Sequence, residues 1–373
     1  MRRRTLLASA MGALAAGATD RVSGRWNAGA RRGSVAFAQV SPGGPQGRWI
    51  SPPLAPVPRP TEELAGSAVN GKLYATQGLL PGFRPGGLVL EYDPASNAWA
   101  EKKPMPHPSH HTAVAVFNNR IYFFGGFVLP QSGPPGWVAI NDTWEYDPAA
   151  DTWRQRAPMP TPRGAAGAAL ANGRIYVVGG AGPLPNSLDQ AIRPGGPQRS
   201  LGTVEEYDPV ANRWRSRRPM PTARNHMAVE SVGGRVYAIG GRLGGAFIIA
   251  MPGNVDLTQE YDPAVDQWVT KAAMPTPRSG VSSAVLGGLI YVAGGELQTY
   301  EYLAAYRAFE AYDPAANVWY RLPSMPIPRH EAAVAALGNR VHVMGGDVQS
   351  AIVPPPAGVN FVAAQHDAFE VSG

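Results

Sequence analysis

Six times along the chain, apolar and polar positions fall into the same order. A run of small residues comes first: LAGSAV, HTAVAVF, GAAGAALA, HMAVESV, GVSSAVL and EAAVAAL. A β-branched or aromatic run follows and usually closes on two glycines, as in RIYFFGG, RIYVVGG and RVYAIGG. After a loop of variable length comes a segment such as FEAYDPAANVW, in which a Tyr-Asp-Pro turn leads to a tryptophan. Short runs of such side chains, bounded by Gly, Asn, Asp and Pro, predict β-strands rather than helices. Between the first and second runs, Asn118-Asn119, Asn172-Gly173, Gly233-Gly234, Gly287-Gly288 and Gly338-Asn339 are suited to positive-φ hairpin turns. In DPxxN and DPxxD, proline presets φ for a tight turn and the Asn or Asp closes it.

The register holds to the residue. Tyr92, Tyr146, Tyr207, Tyr261 and Tyr312 each stand seven positions before a tryptophan, and Trp99, Trp153, Trp214, Trp268 and Trp319 each stand six before a Met-Pro. Successive tryptophans are 54, 61, 54 and 51 residues apart. A period near 50 predicts a propeller or a solenoid. These residues resemble the Kelch repeat, in which GG, Tyr and Trp mark successive strands of a four-stranded propeller blade. The resemblance covers about residues 49 to 373 and implies an all-β fold, with the small-residue strand innermost, where blades converge and side chains have least room. The ten repeated aromatics are then core, packed between blades.

The last repeat starts at Arg329 and ends near residues 366–371 without a tryptophan strand. Trp49, in Arg48-Trp49-Ile50, is expected to supply it from the other end of the chain. The prediction is a six-bladed Kelch β-propeller with four antiparallel strands per blade, its ring closed by an N-terminal strand near Trp49. Closure removes the sheet edges an open array would expose.

In such a meander the first and third strands begin, and the second and fourth end, on one face. From the last glycine of each doublet to the tyrosine the spacing is 14, 20, 27, 20 and 17, so the length variation falls on that face. Long loops on a rigid scaffold are the expected home of binding residues. Sixteen residues before the first doublet position stand Thr61, Ser109, Arg163, Arg224, Arg278 and Arg329, with Gln77 replacing the glycine in blade one. The next two residues in each blade should ring the channel mouth: Glu62-Glu63, His110-His111, Gly164-Ala165, Asn225-His226, Ser279-Gly280 and His330-Glu331. His226 is expected to face the others from across the channel. The loops add Phe83, Phe127, Trp137, Phe247, Tyr300, Tyr302, Tyr306 and Phe361, which either stack on a ligand or pack inward.

Composition narrows the classes. A length of 373 with 44 Gly and 38 Pro suits many short strands in one closed domain. The formal charge of +6 is matched within residues 1–38, where seven arginines face Asp20 alone (7 − 1 = +6), so the rest is balanced. That balance gives no support for nucleic-acid or anionic-membrane binding, and no nucleic acid is expected as partner. Absence of cysteine excludes disulfides, a thiol nucleophile, thiolate metal sites and a lipidated bacterial N-terminus. Residues 1–18 have a basic start and an apolar run too short to span a bilayer, and Arg3-Arg4-Thr5-Leu6-Leu7 resembles a twin-arginine signal. Residues 1–38 read as export signal and leader, with cleavage after Ala18 or Ala38, and 39–373 as the propeller. The alternative for the leader is a basic tail. The expectation is a bacterial periplasmic or secreted monomer without an integral membrane segment after cleavage.

The ring residues admit three readings: a solvated polar rim, a ligand site or a metal site. For a ligand, the candidates are Glu62, Glu63, His110, His111, Arg163, Arg224, Asn225, His226, Arg278, Ser279, Arg329, His330 and Glu331, the arginines suiting an anion. Alignment of the four arginines also suits a purely structural role tying turns together. For a metal, His111 and His226 with Glu63 and Glu331 offer donors, but they come from separate blades with no local spacing motif; neither a metal nor a cofactor is expected. The first functional expectation is a binding protein taking a protein or small-molecule ligand, a carbohydrate among them, on the loop-rich face. The alternative is a sugar-active enzyme. In size, export and blade count the chain resembles the sialic-acid mutarotases (N-acetylneuraminate epimerases), which implies acid–base work with Glu62, Glu63, Glu331 and His111 as candidates. A copper centre like that of galactose oxidase needs a Tyr-Cys cross-link and is excluded. No Walker loop, HExxH, GxSxG or calcium-loop pattern is present.

Overall fold

The computed structural model describes residues 43–372 except 52, 81–83, 248–252, 300–301 and 350–360. The expected leader, with Phe83 and Tyr300, lies outside the described residues. Six four-stranded antiparallel sheets form the scaffold. Blade 1 contains Glu62–Val69, Lys72–Leu80, Arg84–Asp93 and Ala98–Glu101, paired in that order. Blades 2 to 5 repeat it from the innermost strands Ala113–Phe117, Gly167–Ala171, Ala228–Val232 and Ser282–Leu286. Blade 6 takes Ala333–Leu337, Arg340–Met344 and His366–Val371 from the end of the chain and its outer strand, Gly47–Trp49, from the start. Trp49 stands opposite Phe369, which holds the place of the repeat tyrosine. Innermost strands pack pairwise around the axis, and that of blade 6 packs against that of blade 1.

The repeated residues have two tasks. In blades 1 to 5 tyrosine and tryptophan face each other across the third and fourth strands, with ring centroids 4.8 to 5.2 Å apart. Each indole then reaches the preceding blade: Trp99 Nε1 donates to Ala55 O at 2.8 Å and Trp319 Nε1 to Ala272 O at 3.0 Å. Trp49 does the same, donating to Pro323 O of blade 5 at 2.9 Å. The Asn or Asp of DPxxN/D accepts from its own tyrosine and from the backbone of the preceding blade; Asn97 Oδ1 takes Tyr92 O–H at 2.7 Å and Ala55 N–H at 2.9 Å.

The glycine doublets have a steric cause. Gly294 has φ +62, and a Cβ there would lie 2.0 Å from the Arg329 carbonyl of the next blade. Its neighbour Gly295 donates its N–H to that carbonyl at 2.9 Å. In blade 1, Gln77 replaces this contact with its side chain, accepting from Thr112 N–H at 2.7 Å and donating to Thr112 O at 3.0 Å. The hairpin turns are left-handed as expected, except that at Gly338-Asn339 only the glycine has positive φ. Three further small sheets form among the loops that the sequence left without strands; one joins Phe127–Val128, Trp137–Ala139 and Ala191–Ile192 of blades 2 and 3.

Candidate functional site

The channel mouth is built by an unusual backbone. Glu63, His111, Ala165, His226, Gly280 and Glu331, one per blade, all have φ between 44° and 61°. This left-handed conformation costs a non-glycine residue about 1–2 kcal/mol. It is held by hydrogen bonds from blade to blade: Ala165 N–H donates to His111 O, His226 to Ala165, Gly280 to His226 and Glu331 to Gly280, at 2.9 to 3.0 Å. Leu64 N–H donates to Glu331 O at 3.0 Å and carries the series across the join between blades 6 and 1.

The two residues of each predicted pair therefore part company. The second members line the channel, apart from Gly280, which offers no side chain. Glu62, His110, Gly164, Asn225, Ser279 and His330 instead pair with the residue directly after the glycine doublet: Leu79, Phe127, Ala181, Arg242, Glu296 and Asp347. Arg242, Glu296 and Asp347 are buried polar residues that the sequence reading passed over. Their signal was there, since each stands 17 positions after its partner.

At the mouth, four side chains meet. His111 Nε2 lies 3.0 Å from Glu63 Oε2 and 3.4 Å from Glu331 Oε2, and His226 Nε2 lies 3.3 Å from Glu331 Oε1. His226 is thus in contact with the cluster, the rings of His111 and His226 being 4.9 Å apart, rather than across an open channel. Ala165 and Gly280 occupy the intervening blades and leave the space. Arg242 Nη2 approaches His226 Nε2 at 2.9 Å, while its Nη1 pairs with Glu296 and donates to Ser279 Oγ at 3.1 Å. His330 Nε2 lies 3.8 Å from Glu296 and 3.7 Å from Asp347. Asn225 Oδ1 accepts from His226 Nδ1 at 2.5 Å, and His110 and His111 meet through their Nδ1 atoms at 2.5 Å. Trp137 covers this sector, its ring 4.8 Å from those of both His110 and His111 and 4.0 Å from Phe247 stacked upon it. Phe127 and Trp137 are therefore buried loop aromatics, whereas Tyr302 and Phe361 are exposed.

Burial controls the charge of the cluster. It pushes the Glu62 and Glu63 carboxyls up to about 8, the neighbouring Glu63 adding to the rise at Glu62. Asp347 is raised well above the usual range, first by burial and then by Glu62, Glu63 and Glu296. His111 falls to about 3, and His110 and His226 fall well below 6.5, also chiefly through burial. Below the mouth the channel holds a cavity of about 510 Å³ walled by the small residues of the innermost strands. Glu230 lies on that wall, accepting from Ser283 Oγ at 2.7 Å.

The four aligned arginines are placed elsewhere than the sequence reading of a ligand site expected. Arg163, Arg224, Arg278 and Arg329 are at most 1% exposed, and none lines the channel. Arg163 pairs with Glu205, Arg278 with Glu310 and Arg329 with Asp367, and Arg224 donates to Gln259, each within its own blade. Other guanidinium donors hold backbone carbonyls, as where Arg278 Nη2 meets Val292 O at 3.2 Å. They tie each turn to its sheet.

Comparison with known proteins agrees with this architecture. The family described as Attractin/LZTR1 beta-propeller matches residues 83–351. Kelch-like protein terF of Aspergillus terreus is 28% identical over 87% of this chain and 70% of its own length. Kelch-like protein 25 of Xenopus tropicalis is 30% identical over 69% of this chain, and Beta-scruin of Limulus polyphemus 28% over 70%, but the chain spans only 40% and 27% of those relatives. A solved structure named "Structure of YjhT" superposes with a TM-score of 0.65 at 16% identity, covering 86% of this chain and 99% of that one, a likeness of fold. The chain belongs to the Attractin/LZTR1 beta-propeller family and is a Kelch-repeat propeller.

Proposed function

We propose that this protein is an exported binding protein whose loop-rich face takes a protein partner. The observation that carries this reading is where large apolar side chains meet solvent. Leu184, Leu188, Leu243, Tyr302, Leu303 and Phe361 are exposed, and all six belong to the long loops of blades 3, 4, 5 and 6 on one face. Elsewhere among the described residues, exposed large apolar side chains are Val210 and Val265 on opposite-face turns and Val269 on an outer strand. Apolar groups gathered on one face and rimmed by polar loops are characteristic of protein-binding surfaces. Export rests on the leader, with its paired Arg3 and Arg4. The protein acts as a monomer, leaving this face free.

The test is capture of partners from the periplasmic or culture fraction with purified protein, beside a triple variant Leu188→Asp, Tyr302→Ala, Phe361→Ala. Capture should be lost in the triple variant and retained in Val210→Asp, Val265→Asp. Equal capture by wild type and triple variant would sink the reading. So would light scattering that shows a dimer dissociated by the triple variant, since a second copy would then be the occupant. Arg3→Lys with Arg4→Lys should leave the protein in the cytoplasmic fraction.

A further inference from the structure

We infer that Glu63, His111, His226 and Glu331 form a site for one divalent transition-metal ion at the channel mouth. The first support is metric. A tetrahedral ion with bonds of ~2.0–2.1 Å requires donor atoms ~3.3 Å apart along each edge. Glu331 meets the two histidines through its two oxygens, Oε2 lying 3.4 Å from His111 Nε2 and Oε1 3.3 Å from His226 Nε2, and Glu63 Oε2 adds a contact of 3.0 Å to His111 Nε2. The donor atoms of His111, His226 and Glu331 all lie within 4.8 Å of one another.

A second support is the direction of the lone pairs. Asn225 Nδ2 donates to Ser200 Oγ at 2.7 Å and to Gly245 O at 3.1 Å, which fixes the amide so that Oδ1 faces His226. Because Oδ1 can only accept, His226 carries its proton on Nδ1, and Nε2 presents a lone pair to the cluster. A histidine whose second nitrogen donates to a side-chain or backbone oxygen is the usual arrangement of a metal ligand. At His111, the tautomer in which Nδ1–H donates to His110 Nδ1 is the one that leaves Nε2 free to ligate.

Third, polar atoms here are buried without hydrogen-bond partners. Glu63 Oε2 and His111 Nε2 lie close together but out of hydrogen-bond alignment, and neither has another hydrogen-bond partner. Glu63 and His111 are each 7% exposed. A dication between them would satisfy both atoms and balance the two carboxylates. The mixed nitrogen and oxygen donors suit zinc, iron or manganese rather than calcium. All four residues line the 510 Å³ channel cavity, which gives the ion a route.

Arg242 is the competitor. Its Nη2 reaches the same His226 lone pair at 2.9 Å, and loading requires it to turn away. The same Nη2 donates to Ala246 O, so turning away loosens that bond as well, while Nη1 holds Glu296 and Ser279. The ion and this arginine therefore exclude each other at His226, and the exchange lowers the apparent affinity.

The experiment is calorimetric titration of the chelator-stripped full-length protein with Zn²⁺, and with Mn²⁺ in parallel, with visible spectra of the Co²⁺ form. One ion per chain is expected, with intense d–d bands from a four-coordinate centre. His226→Gln or Glu331→Gln should weaken binding at least 100-fold, and Asn225→Leu about 10-fold through loss of the fixed tautomer. Val210→Asp serves as the unaffected control. Thermal unfolding of each variant reports folding independently. Should His226→Gln fail to unfold cooperatively, the near-isosteric pair Glu63→Gln, Glu331→Gln decides. No binding to the wild type, or binding changed less than 3-fold in folded variants, overturns the site. Failure here would leave the loop-face reading untouched, because that test does not involve these residues.

Discussion

Ring closure by Trp49 can be tested by removing the indole. Trp49→Ala takes away the bond to Pro323 O at 2.9 Å and the ring contacts with Phe309 at 5.0 Å and Phe369 at 5.4 Å. The hydrogen bond is worth about 1 kcal/mol, and each aromatic contact ~0.5–1.5 kcal/mol beyond area burial. Truncating a buried tryptophan typically costs about 3–5 kcal/mol; Trp49 is partly exposed, so ~3 kcal/mol is expected. At ~2.1 cal/mol/K per residue over roughly 300 ordered residues, that lowers the thermal midpoint by about 5 °C. Gly47→Val attacks the same strand without touching the indole. A Cβ at Gly47 would lie 2.4 Å from the Glu370 carbonyl and 2.5 Å from the Phe369 ring, so the strand cannot stay in register. The assay is calorimetry or circular dichroism on both variants, with Trp99→Ala as the comparison within a blade made of continuous chain. If Trp49→Ala and Gly47→Val each moved the midpoint by less than about 1 °C, while Trp99→Ala moved it by several, the N-terminal strand would not be closing the ring.

Two other perturbations test the interior. Arg278→Met leaves Glu310, 2% exposed, without its cation and should cost ~3–5 kcal/mol in chemical denaturation; adding Glu310→Met should restore part of it, and full additivity of the two losses would argue against the pair. Glu230 is pushed from 4.5 to about 7 by burial, against the lowering effect of Ser283. Its folded pKa lies above its unfolded value, so stability falls as pH rises from about 4.5 to 7 and is level beyond. The shift corresponds to at most about 3 kcal/mol, and to ~1–2 kcal/mol where the channel wall is wetted. Glu230→Gln should therefore match wild type at pH 4 and be more stable by that amount at pH 8; an equal difference at both pH values would show that the carboxyl is not titrating in this window.

Much of the fold was legible because every blade buries the same surfaces by the same means. A tryptophan must find a carbonyl on the preceding blade, and a doublet must admit the carbonyl of the next, so tyrosine, tryptophan and glycine recur at fixed distances. Even closure could be read, because blade 6 lacked a tryptophan strand and Trp49 was a tryptophan without a blade. The arginines show where such reading stops. Alignment of Arg163, Arg224, Arg278 and Arg329 established a shared position but not a direction. Each turns into its own blade because a buried acceptor waits on the third strand (Glu205, Gln259 and Glu310) or at Asp367. That acceptor lies 32 to 42 residues away, beyond any local pattern.

The channel mouth was half legible for a different reason. Its candidates are adjacent pairs, and in an ordinary strand adjacent residues point to opposite sides, so one of each pair had to leave the channel. Which one leaves depends on the left-handed turn at the second position. Glutamate and alanine do not favour that turn and histidine does so far less than glycine, so local sequence does not announce it. Once the turn is known the rest follows. The first residue of each pair is drawn into a bridge with the one just past the doublet, which brings Arg242, Glu296 and Asp347 into the same layer. What the six positions then do depends on their occupants. Alanine and glycine in blades 3 and 5 put no large side chain into the space in which Glu63, His111, His226 and Glu331 meet.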